Sequence, residues 1–378
     1  MPAPPFLPSW VYRSAAVAAR ERSHYADRCW HPVAARSEID AGGALAVELL
    51  GVPLLLTAPR GEDQGPQPAV RAFLNRCPHR GVALLASGTA APRCRRLVCP
   101  YHGWTYDLNG QLLAAAREAE FMEPFNREHW PLQEVPCRQL GPLLWVALGP
   151  TPLPLEEQLD LVLAEAGKLF TTPRQLLGRQ QLGLACNWKV AHDNTLDDYH
   201  VAIAHPTTLH REQGPVRDYR YALSPHGTLL ATPSGAGGTF YTFGLAPWTH
   251  LLLWPDQRLA LLSFLPSLPA SPGEAADLEH CVMDVWLFGP PEFAAGAADW
   301  MAEMQRFLEE DRRLVESAQR GYANGLVPGP AHRLEQRILQ WQALYRRWME
   351  LEEEPQPQLS PRALTTAPAG PATPPWPH

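Results

Sequence analysis

Two short loops of this chain, Cys77-Pro78-His79 and Cys99-Pro100-Tyr101-His102, each carry one cysteine and one histidine. The pattern is C-x-H, a gap of nineteen residues, then C-x-x-H. Each loop offers one thiolate and one imidazole, so the pair can clamp a metal group from two sides. The flanking residues favour tight turns. Pro78 and Pro100 fix φ and remove a backbone donor, and Gly81 and Gly103 follow the ligands where a positive φ is wanted. A Cys2His2 set also suits structural zinc. Zinc fingers, however, pair two cysteines in one knuckle and two histidines in the other, whereas both knuckles here are mixed. Mixed knuckles fit a [2Fe–2S] cluster in which the cysteines hold one iron and the histidines the other. Such a cluster moves one electron at a time, so the rest of the chain should contain something to reduce.

At 378 residues the chain exceeds one typical domain, and two are expected. Residues that are 46% hydrophobic are ample for a core, and a formal charge of −7 argues against a nucleic-acid surface. No apolar run reaches the ~18 residues of a membrane span, and Met1–Pro8 lacks the charged and apolar regions of a secretory signal. Besides Cys77 and Cys99, the cysteines at 29, 94, 137, 186 and 281 are scattered and odd in number. That usage suits a reduced cytoplasm better than a disulfide framework. Cys94 sits between the two loops without a paired histidine and is read as incidental.

From about Ala44 to Pro150 short apolar runs alternate with Gly, Pro and Asp/Asn turn signals, as in Leu45–Leu50, Val52–Thr57, Val70–Leu74 and Leu143–Leu148. Asp107-Leu-Asn-Gly110 reads as a hairpin turn just after the second metal loop. This is a small β-domain with the metal loops at its tip; Gly61–Pro68 is an exposed loop. The pattern then changes. Leu155–Phe170 reads as a helix, and a longer helical run follows Cys186-Asn-Trp-Lys-Val-Ala. Strands are expected at Tyr219–Leu223, Thr228–Ala231, Thr239–Phe243, Leu251–Trp254, Leu259–Phe264 and Cys281–Phe288, then helices at Ala297–Arg320 and Arg333–Leu351. A sheet with segregated helices is an α+β arrangement. The tail from Glu354 is dense in Pro, Ala and Thr and is read as disordered. The expected divisions are 1–43 as a segment packing on the catalytic domain, 44–152, 153–352, and the tail 353–378.

A second metal site is written in His192-Asp-Asn-Thr-Leu-Asp-Asp-Tyr-His-Val-Ala-Ile-Ala-His-Pro206. His200 and His205 are five apart and would not share a face of a continuous helix. Pro206 pushes His205 away from αR, so the helix should end there and the ring can turn back to His200. The bland alternative is two ordinary histidines. A third ligand is Asp311, which falls on the apolar stripe Trp300, Met304, Phe307, Leu308, Leu314, Val315 and Ala318, while Glu309, Glu310, Arg312 and Arg313 point elsewhere. A core-facing carboxylate is costly unless paired or metal-bound; an ion pair with a buried Arg or His is the alternative. Two histidines and a carboxylate form the facial triad of non-haem Fe(II) oxygenases. Asp197, three before His200, can orient a ligand ring or be a solvated helix charge.

At these residues the chain resembles the Rieske non-haem iron oxygenases, specifically the catalytic α-subunit. The resemblance runs from about Leu7 to Trp348 and rests on Asn75-Arg-Cys-Pro-His-Arg-Gly81, Cys99-Pro-Tyr-His-Gly-Trp-Thr-Tyr106, Asn187-Trp-Lys189, Asp193-Asn-x-x-Asp-x-Tyr-His200 with His205, and Glu310-Asp-x-x-x-x-Glu316 with Gln319 and Gly321. It implies a small all-β Rieske domain ahead of an α+β catalytic domain with an antiparallel sheet and flanking helices. By resemblance Cys77, His79, Cys99 and His102 bind the [2Fe–2S] cluster and His200, His205 and Asp311 bind iron. Asp197 then couples the cluster of one subunit to the iron of its neighbour, which implies a homotrimer. Asp198 is the rival bridge and Glu310 the rival to Asp311; Tyr199 and Asn194 match positions near the iron. The gap between the metal loops is slightly long for the family, and the extra length is placed around Thr89–Arg96.

No nucleotide site is convincing, since Gly235-Ala-Gly-Gly238 lacks the third glycine of the dinucleotide fingerprint and reads as a turn. A separate NAD(P)H-dependent reductase or ferredoxin is therefore expected. Phe240, Tyr241, Phe243, Trp248 and Trp254 lie in the sheet that should back the iron. There they are either core or a box for a ring or a quaternary ammonium. The expected activity is O2-dependent mono-oxygenation or oxidative demethylation of a small molecule of the betaine or quaternary-amine type. Aromatic-ring dioxygenation is the alternative, and an electron carrier or zinc scaffold without oxygenase activity is the remote one.

Overall fold

The computed structural model describes residues 6–60, 69–235, 237–267 and 276–351, with the side chain of Glu212 outside that description. The loop expected at Gly61–Pro68 and the Pro-rich tail lie outside the described residues. Eight α-helices are described: α1 (Ala15–Arg28), α2 (Leu155–Gln158), α3 (Asp160–Thr171), α4 (Trp188–Leu196), α5 (Val201–Ala204), α6 (Leu209–Gln213), α7 (Ala297–Ala323) and α8 (Gln336–Trp348).

The first half is β-rich, as its turn punctuation requires. A five-stranded sheet runs in the order 90–91, 44–49, 52–57, 71–74, 134–135, and a three-stranded sheet joins 97–98, 105–106 and 112–114. The hairpin at Asp107 forms as read. Its carboxylate accepts from the backbone of Asn109 at 2.9 Å and Gln111 at 2.8 Å. A third sheet pairs His31–Ala35 with Leu143–Val146, which in turn pairs with Cys137–Leu140. The strand at 31–35 therefore belongs to the same sheet as 137–146. Helix α1, not assigned from sequence, precedes it; its Val17, Glu21 and Tyr25 form one buried stripe.

The second half is a seven-stranded antiparallel sheet in the order 175–184, 281–289, 259–266, 249–253, 239–245, 227–233, 220–223. All six strands expected there are present. The seventh, Gln175–Leu184, was not assigned, because its Gln, Arg and Gly residues carry little apolar signal. It is an edge strand paired only with 281–289, so polar positions are tolerated on it. The central strands are buried on both faces, which is why Leu251-Leu-Leu and Leu259-Ala-Leu-Leu read as runs rather than alternations. On one face Phe240, Leu252, Leu262, Phe264 and Val285 join α4, α7 and α8 in the main core. On the other, Phe243, Leu245, Leu251, Leu261 and Trp286 pack with α3 and with Leu143 and Trp145.

Two devices set α4 on the sheet. A Cβ on Gly244 would lie 2.2 Å from Leu196 Cδ2 and 2.8 Å from Thr228 Oγ1, so only glycine lets the end of α4 approach this strand. At the other end Asn187 caps the helix, accepting from Lys189 N at 3.1 Å, while its own N–H donates to Gln319 Oε1 of α7 at 2.9 Å. The Ala185 N–H donates to Glu316 Oε1 at 3.1 Å. Helix α7 is thereby held in register against α4.

The helix expected to run on towards His205 is broken. Helix α4 stops at Leu196, Asp197 has an extended backbone (φ −88°, ψ 103°), and α5 restarts after His200. Asp197 and His200 therefore do not share a helical face, and their proximity comes from this turn.

Candidate metal centres

The two mixed loops have the same backbone. Cys77 N–H donates to Val82 O at 2.8 Å and Gly81 N–H to Cys77 O at 2.8 Å; Cys99 N–H donates to Trp104 O at 2.8 Å and Gly103 N–H to Cys99 O at 3.0 Å. Gly81 (φ +77°) and Gly103 (φ +68°) occupy the left-handed region at matching positions. A Cβ on either would meet nothing within 4 Å, so the turn and not space demands glycine.

The loops gather like with like. Cys77 and Cys99 are buried in the small core of this domain. The Cys77 thiol faces Cys99 and lies 3.4 Å from the Tyr106 hydroxyl, and burial pushes its pKa up. The His79 and His102 rings lie 4.5 Å apart, with His79 stacked on Trp104 at 4.9 Å. A tetrahedral zinc would bring the four ligand atoms together at one point. Among the described residues, however, the only set of three or more candidate ligands within 4.8 Å of one another is His200, His205 and Asp311. A sulfur pair beside a nitrogen pair fits a two-iron cluster and does not fit one zinc ion. Cys94 is half-buried against the same core.

The second centre converges on one oxygen. His205 Nε2 lies 2.9 Å and His200 Nε2 3.3 Å from Asp311 Oδ1, and the two nitrogens are 3.3 Å apart. His205 ends α5 as Pro206 requires, and its ring turns back to His200. Asp311 sits in the buried row Trp300, Met304, Leu308, Val315, Gln319 of α7; Leu314, placed on that stripe from sequence, is 43% exposed instead. Asn194 of α4 donates to Asp311 Oδ1 at 2.7 Å.

Each histidine is also held from behind. His205 Nδ1 lies 2.7 Å from Glu310 Oε2, which accepts from Thr208 Oγ1 at 2.8 Å. His200 Nδ1 lies 3.4 Å from Asp197 Oδ2. Glu310 was read as a charge pointing elsewhere and as a rival to Asp311. It is neither, since it grips the far nitrogen of the histidine that faces Asp311. Its sequence signals are adjacency to Asp311 and its place in the Glu310-Asp-x-x-x-x-Glu316 motif. Asp198 is not at the centre. It pairs with Arg337 of α8 at 3.0 Å, both fully buried, and the Arg337 guanidinium also donates to Thr242 O at 3.2 Å.

Electrostatics favours a cation here. Burial alone would lower His200, but the contacts with Asp197 and Asp311 raise it to about 10. His205 is raised despite burial by Asp311 and Glu310, and Asp311 is lowered despite burial by the two histidines. Two imidazoles drawn onto one carboxylate oxygen call for positive charge where the three meet. A divalent ion bound by two His and one carboxylate keeps open coordination positions, so this donor set fits mononuclear iron.

Beside the triad is a cavity of about 30 Å³ lined by Asn194, Asp197, Thr242, His250, Leu252 and Phe307, among others. Leu209 and Phe307 also line an outer cleft of about 850 Å³. None of Phe240, Tyr241, Phe243, Trp248 and Trp254 lines the inner cavity. Four are 5% exposed or less and Tyr241 packs on the far face; Phe240, Tyr241, Phe243 and Trp248 form core, while Trp254 lines the outer cleft with Arg258 and Trp300. The sheet positions that reach the cavity are Thr242, His250, Leu252 and Leu262.

The Rieske [2Fe–2S] domain family matches residues 29–131, and the catalytic domain of ring-hydroxylating α-subunits matches 173–258. The carnitine monooxygenase oxygenase subunit of Escherichia coli K12 is 28% identical over 333 residues, 83% of each chain. The glycine betaine monooxygenase oxygenase subunit of Chromohalobacter salexigens is 31% identical over 204 residues, 54% of this chain and 44% of that protein. In fold, the chain is similar to the quaternary ammonium Rieske monooxygenase CntA in complex with L-carnitine, with a TM-score of 0.74 at 24% identity over 91% of this chain and 95% of that one. It is also similar to naphthalene 1,2-dioxygenase from Rhodococcus sp., with a TM-score of 0.69 at 18% identity over 91% and 93%. No described helix is long and apolar enough to cross a membrane.

Proposed function

We propose that this chain, which belongs to the Rieske-type oxygenase α-subunits, with a Rieske domain followed by a ring-hydroxylating α-subunit catalytic domain, hydroxylates or oxidatively demethylates a small quaternary-ammonium substrate. Its ligands are Cys77, His79, Cys99 and His102 for the cluster and His200, His205 and Asp311 for iron. The observation that carries the reading is the convergence of both histidine Nε2 atoms on Asp311 Oδ1. When bound, the iron activates O2 with electrons that the cluster delivers one at a time. The chain's own residues set the stage. Glu310 and Thr208 fix the His205 ring, Asn194 steadies Asp311, and Leu209 and Phe307 screen the inner cavity from the outer cleft. The net reaction consumes O2, two electrons and two protons, placing one oxygen atom in the product and the other in water.

The quaternary-ammonium reading is supported by the named activities of the carnitine and glycine betaine relatives. It is supported also by the Asp197 carboxylate, which lines the cavity beside the triad. The domain limits we adopt are 1–43, 44–152, 153–352 and 353–378. The assembly we infer is a homotrimer in which Asp197, 23% exposed and beside His200, receives electrons from a neighbouring copy's cluster. A separate NAD(P)H-dependent reductase or ferredoxin would supply them. The five cysteines outside the cluster, unpaired in the structure, suit a cytoplasmic setting.

The test is iron and acid-labile sulfide analysis with EPR of the reduced protein, followed by O2 uptake against a panel of trimethylammonium carboxylates and aromatic acids. We expect a Rieske signal and uptake coupled to demethylation or C–N cleavage of a trimethylammonium compound. Zinc without sulfide would remove the oxygenase reading, and turnover of aromatic acids alone would replace the substrate class.

A further inference from the structure

We propose that the arginines around the cluster loops are the docking surface for the electron donor, and that the donor meets them with an acidic face. This rests on the reading of Cys77, His79, Cys99 and His102 as cluster ligands. From Arg76 to Tyr106 the chain carries five arginines and no aspartate or glutamate, within a protein whose formal charge is −7. Arg80 directly follows His79, and Arg93, Arg95 and Arg96 lead into Cys99. All are exposed. Arg76 donates to Gln133 at 2.7 Å, and none of the five is ion-paired among the described residues.

The arginines just outside this stretch behave differently. Arg71 pairs with Glu134 at 2.5 Å, Arg117 with Glu120 at 2.7 Å and Arg127 with Glu118 at 2.8 Å. Between residues 71 and 138 the arginines without an ion pair among the described residues are thus those of the ligand loops and the segment joining them, and Glu123 and Glu128 are the exposed carboxylates of that span without one. That segment is built into the fold. Ala90–Ala91 pairs with Ala44–Leu45, Ala46 N–H donates to Thr89 O at 2.9 Å, and Cys94 packs on the small core. The extra length between the loops, expected to leave the cluster unaffected, therefore presents three exposed arginines on a segment fixed to the small domain's core.

A second copy of this chain is the weaker match. The cleft that Asp197 lines also exposes Tyr199, Leu314 and Leu326, which are apolar and complement Val98, Tyr101 and Met122 rather than guanidinium groups. An acidic one-electron carrier complements the arginines. Its approach would be steered by a local positive field on a negative protein. In the transfer the donor loses one electron and the cluster gains it.

The charge around the cluster is readable with ions. The full-length, cluster-loaded protein is reduced with dithionite and re-oxidised in a stopped-flow instrument by ferricyanide, an anion, or hexaammineruthenium(III), a cation. Each takes one electron, and salt is raised from about 20 mM to about 0.5 M to screen the field. We expect ferricyanide to slow with salt and the ruthenium complex to quicken. The signs should exchange in Arg93→Glu/Arg95→Glu/Arg96→Glu and flatten in Arg95→Gln/Arg96→Gln. Arg217→Glu, which makes the same change per residue on the catalytic domain, should keep the wild-type slopes. A reduced plant-type [2Fe–2S] ferredoxin, used as an acidic protein probe, should reduce the triple variant's cluster about ten-fold more slowly. Wild-type slopes that are flat or reversed, or variant slopes equal to wild type, would overturn the proposal. So would a triple variant that falls to monomers, which would give the arginines to a second copy. A chain without sulfide fails the cluster reading itself, whereas a loaded cluster without a salt slope fails only the docking surface.

Discussion

Glu310 Oε2 lies 2.7 Å from Nδ1 of His205, while the next residue on the same helix, Asp311, lies 2.9 Å from that ring's Nε2. Two consecutive carboxylates thus address one imidazole from opposite sides. Glu310 fixes the ring's tautomer and leaves Nε2 free as a ligand atom. Glu310→Gln should keep the Rieske signal and lower iron affinity or turnover about 10- to 100-fold. Iron content and O2 uptake measure it; unchanged iron affinity and turnover would leave Glu310 as a surface charge.

Asp197 and Asp198 are neighbours with different work. Asp197→Asn should retain cluster and iron, and slow turnover about 10- to 100-fold, with electron transfer out of the pre-reduced cluster as the affected step. Asp198→Ala strands the buried guanidinium of Arg337, which costs about 3–5 kcal/mol. Denaturant unfolding should show the loss for Asp198→Ala and little change for Asp197→Asn.

Phe307 stands between the inner cavity and the outer cleft, its ring 6.3 Å from that of His205. Phe307→Ala should raise kcat/KM for bulkier ammonium substrates relative to the smallest ones, by about 10- to 200-fold. A ratio that stays fixed would place the access route elsewhere.

His192 is fully buried on α4 with neither ring nitrogen hydrogen-bonded, and burial together with Arg337 pushes it down to about 3. The unfolded chain takes up this proton near pH 6.5 and the folded one does not. The stability at stake is full above pH 6.5 and is lost as pH falls towards 3, at about 1.4 kcal/mol per pH unit. His192→Leu should remove one proton's worth of that slope and shift acid unfolding to lower pH. An unchanged pH–stability slope would show that the ring titrates normally.

Much of this was legible beforehand because the informative residues are rare types at short spacing. Cys77, His79, Cys99 and His102 declare themselves within two loops, and Pro206 tells where His205 must turn. In the large sheet the legible strands were mostly those buried on both faces, the half-exposed edge strand at 220–223 excepted. What escaped was what depends on a distant partner. The strand at 175–184 is polar because it lies at an edge, and α1 carries little apolar signal. Glu310 looked like its solvated neighbours until His205 folded back against it, and the aromatic residues of the sheet could be assigned to core only once strand parity was known.

The bonds from Glu316 and Gln319 of α7 to the backbone before α4 have a mechanical consequence. They make the ligand-bearing helices a chassis, so room for a substrate has to come from the other wall. That wall is the five-residue α6, ended by Gly214 at φ +67° with nothing within 4 Å of a would-be Cβ. Changes at 209–214, which leave the Thr208 bond to Glu310 intact, can therefore retune which molecule is admitted while His200, His205 and Asp311 stay where they are.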